Sequence, residues 1–130
     1  MEKWSKVFES IIPLGVYQSS IIYNNQVGLC IRLENSFNVV NINFNSVTSF
    51  RILDEGIILG GLFNEKEITL LKEDHFSNSI YQINGGEYSE FIKKVGKELY
   101  EFLGLKHYII VTENTIIEVI TEWNPEIDLE

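Results

Sequence analysis

Apolar and polar residues alternate with a period of two through much of the first half of the chain, and this pattern limits the fold more than any other feature. Val27, Leu29, Ile31 and Leu33 alternate with Gly28, Cys30, Arg32 and Glu34; Val40, Ile42 and Phe44 alternate with Asn41, Asn43 and Asn45. Successive side chains of a strand point to opposite faces, so each run predicts a half-buried β-strand with one core face. Asn24-Asn25, Asn35-Ser36 and Asn45-Ser46 separate the runs. Asn tolerates positive φ and marks turns. With a β-branched and aromatic strand over Val16–Tyr23 and another over Val47–Leu53, the first half is expected to form a four-strand antiparallel meander.

Parity in the last of these strands sorts its residues. Phe50 and Ile52 share a face with Thr48 and Asp54 and are expected in the core, while Arg51 shares the other face with Val47, Ser49 and Leu53. Arg51 and Asp54 therefore diverge unless a bulge intervenes. Asp54-Glu55-Gly56 reads as the start of a turn, with Gly56 supplying positive φ.

Helical spacing appears elsewhere. Trp4, Val7, Phe8 and Ile11 fall three and four apart, which predicts an N-terminal helix over Glu2–Ile12, stopped by Pro13 and Gly15, with Trp4 anchoring it to a sheet. Glu87–Leu103 is the clearest helix, with Tyr88, Phe91, Ile92, Val95, Leu99 and Phe102 on its apolar face and Gly104 as its C-cap. Between them, Asn64 with Glu67 three residues on suggests a short capped helix with Leu70 and Leu71 inward, although an irregular segment fits equally well. The run Ile57–Phe63 is too short to span a membrane, and Gly60-Gly61 lies in no phosphate-loop pattern. Ile80–Ile83 predicts a strand. His107–Val111 and Thr115–Thr121 predict a closing hairpin, and Pro125 is expected to end regular structure. The expected fold is one α+β domain over residues 1–130. Its largely antiparallel sheet would have about six strands, covered by the N-terminal helix and the long amphipathic one.

A net charge of −9 argues against nucleic acid as a partner, because that contact needs cations to displace counterions. It suits solubility or a basic protein partner. From Glu113 onward the acids Glu113, Glu118, Glu122, Glu126, Asp128 and Glu130 are unaccompanied by Lys or Arg, so the end of the chain reads as a frayed acidic tail or part of an acidic binding surface. Cys30 is the one cysteine, which leaves no intrachain disulfide, and the first residues lack a signal-peptide run; a reducing, cytoplasmic setting is expected.

His75 and His107 are the two histidines, and neither falls in a zinc-binding spacing. No metal or cofactor is expected, and neither a G-x-S-x-G elbow nor a phosphate loop is present. Three residues stand out. Arg51 can pin a loop or pair across strands, with Glu34 one choice of partner. His107 opens a strand. Glu118 lies between Ile116 and Ile120 on one face of an Ile- and Val-rich strand; covered, it needs a partner. A deep pocket where Arg51, His107 and Glu118 converge would favour a small-ligand-binding or enzymatic domain.

Phe44-x-x-Val47-x-x-Phe50-Arg51-x-x-Asp54-Glu55, the amphipathic helix, and His107-Tyr108-x-Ile110 followed by Asn114-x-Ile116-Ile117-Glu118-Val119 resemble small acidic bacterial proteins. Some of these are similar to immunity proteins of contact-dependent or polymorphic toxin systems. The resemblance implies a cytoplasmic protein that binds and blocks a cognate toxin with no catalysis of its own. With the acidity of the chain, a basic toxin domain is the expected partner, and a monomer or weak homodimer the expected state. Asp54, Glu55, Glu118 and Glu122 are the expected partner contacts, with Arg51 and His107 as structural or site-orienting residues.

Overall fold

A computed structural model describes residues 2–54, 56, 61–75, 77–96 and 104–130. Among these residues there are nine strands and two helices: β1 (Lys3–Lys6), β2 (Gln18–Asn24), β3 (Gly28–Glu34), β4 (Val39–Asn45), β5 (Ser49–Asp54), α1 (Glu65–Glu73), β6 (Ile80–Asn84), α2 (Glu87–Gly96), β7 (Lys106–Thr112), β8 (Thr115–Thr121) and β9 (Glu126–Leu129). The class is α+β. The strands divide between a five-stranded sheet of order β1-β6-β7-β8-β5 and a four-stranded sheet of order β2-β3-β4-β9, with antiparallel pairings throughout. No described helix is long and apolar enough to cross a membrane.

Two cores follow from this layering. Leu29, Ile31, Leu33, Val40, Ile42 and Phe44 of the four-stranded sheet pack on Ile80, Tyr108, Ile110, Ile117 and Val119 of the five-stranded one. The opposite face of the five-stranded sheet packs Trp4, Tyr81, Ile83, Ile109, Val111 and Ile116 against Ile68 and Leu71 of α1. The central strands β7 and β8 are therefore covered on both faces and buried along nearly their whole length. That explains their continuous Ile and Val content, which a sheet wetted on one side does not need.

The single six-strand sheet and the four-strand meander are corrected. β2, β3 and β4 do form a meander, but β4 takes β9 as its other neighbour, with Val40 opposite Leu129 and Ile42 opposite Ile127. β5 instead crosses to the other sheet and pairs with β8. Asn45, at φ 58, ends β4 in a left-handed conformation that helps redirect the chain.

The N-terminal helix is also corrected. Lys3–Lys6 is an edge strand with Trp4 opposite Ile83, and Trp4 packs against Phe63 and Tyr81. Phe8, at φ 57, breaks any helical continuation; only a single turn remains, with Ile11 and Ile12 N–H both donating to the Phe8 carbonyl. Strand pairing has overridden a helical spacing shared by a few residues.

Regular structure does not end at Pro125, since β9 follows it. Ile52 is 52% exposed, because β5 lies at the edge of its sheet; Phe50 packs against the core as expected. In α1, Asn64 caps through its side chain, which accepts from Lys66 N–H. Ile68 and Leu71 face inward, while Leu70 is exposed. In α2 the buried residues are Tyr88 and Ser89, and Phe91 and Val95 are exposed. The continuation expected over 97–103 lies outside the described residues.

Candidate functional site

The three residues singled out by sequence meet on the helix-facing side of the five-stranded sheet. β8 runs between β7 and β5, and Glu118 stands opposite Ile109 on one side and Arg51 on the other. His107 enters from β7 two pairs further along, opposite Ile120. The pairing brings them together, since Glu118, Arg51 and His107 fall on the same face of adjacent strands.

The carboxylate is clamped at both ends. Arg51 Nε donates to Glu118 Oε2 at 2.5 Å, and His107 Nε2 donates to Oε1 at 2.8 Å. The Glu118 side chain has no exposed surface, that of His107 is 2% exposed and that of Arg51 31%. A buried carboxylate is tolerable only when paired and hydrogen-bonded, and both conditions hold. Arg51 does not pair with Glu34, which meets Arg32 instead.

α2 roofs the cluster. The Arg51 guanidinium carbon lies 4.2 Å from the centre of the Tyr88 ring, a cation–π contact, and His107 meets the same ring edge-on at 5.8 Å. The Tyr88 hydroxyl hydrogen bonds Ser49 Oγ on β5. Burial pushes the Tyr88 hydroxyl above its ordinary pKa, opposed by the Ser49 hydrogen bond and the Arg51 charge. Gly86, just before α2, lies so close to His107 that a Cβ there would stand 2.9 Å from Cε1 and from Nδ1. Nδ1 is buried and has no hydrogen-bond partner among the described residues.

Such a cluster can hold β5, β7, β8 and the start of α2 in register. It cannot present its carboxylate to a partner, so the expectation of Glu118 as a partner contact is corrected: the residue has no surface to offer. The other expected contacts are dispersed. Asp54 is exposed and accepts a hydrogen bond from Gly56 N–H at 3.0 Å. Glu55 lies outside the described residues. Glu122 is half-buried just after β8. Ser49 was legible only as sharing the parity of Arg51, and Tyr88 only as one of several apolar helix positions; nothing in the spacing joined them.

The outer face of the four-stranded sheet gathers a different set. Register places Ile22, Cys30, Asn43 and Glu126 in one row, Ser20, Arg32, Asn41 and Asp128 in the next, and Gln18, Glu34 and Val39 at the end beside Glu130. Glu126, Asp128 and Glu130 are all exposed on this face. Arg32 is its one cation among the described residues of these strands, and it bridges Glu34 at 3.3 Å and Glu130 at 3.0 Å. Asn41 Nδ2 also donates to Glu130, at 2.7 Å. The β3–β4 turn at the end of this face carries Phe37, which is 89% exposed. The end of the chain is therefore an ordered acidic row and not a frayed tail.

Among the described residues, no group of three or more His, Cys, Asp and Glu could hold a metal ion. Comparison of the chain with models of protein families, with curated proteins and with solved structures finds no match.

Proposed function

We propose that this chain is a non-enzymatic binding protein that docks a basic protein partner on the outer face of its four-stranded sheet. One observation carries the reading: β9 pairs in register with β4 and so holds Glu126, Asp128 and Glu130 side by side on one solvent-facing surface. Fixed acids of one sign steer a cationic partner and discriminate against an acidic one. Phe37 at the end of that face adds the kind of exposed aromatic anchor on which interface energy concentrates. A toxin domain with a cationic cleft fits this chemistry, and neutralising such a toxin is the role we assign.

The alternative, a ligand-binding or enzymatic cleft at Arg51, His107 and Glu118, is disfavoured by burial. A group that acts on substrate must reach it, and neither the Glu118 nor the His107 side chain has appreciable exposed surface.

Co-expression with the product of the neighbouring gene tests the proposal. The expected result is rescue of growth and a stable complex that weakens as salt rises. Loss of both rescue and complex with every basic neighbour would remove the reading.

A further inference from the structure

The β2–β3 turn and the far end of β4 enclose an open cavity of about 530 Å³, within the 300–1,000 Å³ range of small-molecule sites. Its lining includes Tyr23 and the amide residues Asn24, Asn25, Gln26, Asn43 and Asn45, and no charged residue. On a chain of net charge −9, an uncharged wall of this size is a distinct local chemistry.

The backbone is shaped to make it. Gly28 has φ 74, and a Cβ there would stand 2.0 Å from the Asn45 carbonyl oxygen, so only glycine lets the turn approach β4 this closely. Asn45 itself is left-handed, and the β3–β4 register shifts between Leu29 and Cys30. Bulges and positive-φ residues re-aim side chains and cluster where ligands bind. The amides are partly fixed as well. Asn24 Oδ1 accepts from Gln26 N–H and Val27 N–H, each at 2.9 Å, and Asn43 Oδ1 accepts from Asn45 N–H at 2.9 Å. Their Nδ2 donors are left free of that task.

The lining selects a ligand class. A phosphate or carboxylate would find no cation, and a metal or amine no carboxylate. An apolar ligand would find mainly amides, whose desolvation it could not repay. Amides offer donors and acceptors without charge, which suits hydroxyl groups that both donate and accept. The Tyr23 ring, 53% exposed and braced by Phe50 at 5.0 Å between ring centres, offers a flat face for the C–H side of a pyranose. We propose that this cavity binds a neutral saccharide, stacked on Tyr23 and hydrogen-bonded by the surrounding amides. The cavity borders the outer face, where Asn43 stands opposite Glu126, but its ligand is argued from its own lining and not from the toxin-neutralising role.

The test is a backbone-amide NMR titration of the full chain with glucose, galactose, N-acetylglucosamine, maltose and cellobiose up to tens of millimolar. Glucuronate and inorganic phosphate serve as charged probes. The expected result is saturable shifts for at least one neutral sugar, centred on residues 23–28 and 43–46, with affinity lowered about tenfold by Tyr23→Ala. Asn25→Asp, at an exposed turn position, is expected to weaken binding with an otherwise unchanged spectrum; it serves should Tyr23→Ala not fold. No saturable shift with any neutral sugar overturns the proposal. So do shifts centred elsewhere, or phosphate or glucuronate binding as tightly at the same residues.

Discussion

Arg51 and Glu118 stand directly opposite each other in the β5–β8 pairing, and their side chains meet at 2.5 Å under the ring of Tyr88. This pair joins the edge strand of the five-stranded sheet to its interior. Removing Arg51 leaves Glu118 with His107 as its remaining partner, and removing Glu118 strands both Arg51 and the buried His107; a broken buried pair costs about 3–5 kcal/mol. Arg51→Met and Glu118→Leu should each lower stability by that order in urea denaturation. The double variant should lose less than the sum of the single changes, because the two charges leave together, but it should not recover fully, since buried His107 loses the partner of its Nε2. Additive losses would show that the two side chains act independently.

Gly86 tests the packing beneath α2. An added methyl would meet His107 at 2.9 Å and Ile83 Cγ2 at 3.0 Å, so Gly86→Ala should cost about 1–3 kcal/mol as an overpacked site. His107 is held from below by Glu118 and cannot simply swing aside. Combining Gly86→Ala with His107→Ala should cost less than the sum of the single changes, measured by a double-mutant cycle in chemical denaturation.

Tyr81 should give the chain an alkaline limit. Burial first, with the nearby Asp74 charge assisting, pushes its hydroxyl up to about 12 from 10.0. Between those values the unfolded chain releases the proton and the folded one keeps it. The stabilisation is therefore full below pH 10 and is lost as pH rises toward about 12, at a slope of about 1.4 kcal/mol per pH unit. The hydroxyl is also buried without a hydrogen-bond partner among the described residues. Tyr81→Phe should accordingly cost little at neutral pH and flatten the alkaline slope, followed by thermal melts from pH 8 to 12.

The strands were legible because their information is local: Leu29, Ile31 and Leu33 alternate with polar neighbours, and asparagines close each run. Which sheet a strand joins is not local. β5 could extend the meander only if β4 had a vacant edge, and β9, near the other end of the chain, occupies it. At residues 2–12, Trp4, Val7, Phe8 and Ile11 match one helix face, while only the distant β6 makes Lys3–Lys6 a strand. At the cluster, an acid within an Ile and Val run and a cation of suitable parity were visible in sequence. The setting of α2 was not, since its Tyr88 faces the sheet while Phe91 and Val95, at compatible helical spacing, remain exposed.

β9 separates a core face from an acidic face by parity. Ile127 packs inward against the core, whereas Glu126, Asp128 and Glu130 face solvent. Arg32 is held by Glu34 as well as Glu130, so neutralising the row does not strip it of every partner. Exposed pairs of this kind contribute about 0–1 kcal/mol. Glu126→Gln, Asp128→Asn and Glu130→Gln combined should therefore leave the melting temperature within a few degrees of the parent, yet slow association with a basic partner and reduce its salt dependence. Ile127→Asp should do the reverse in origin, lowering stability by placing a charge on the core face. Stopped-flow association and thermal melts on the same samples distinguish the two. Equal association rates for the parent and the neutralised row at low salt would show that the acidic face does not steer the partner.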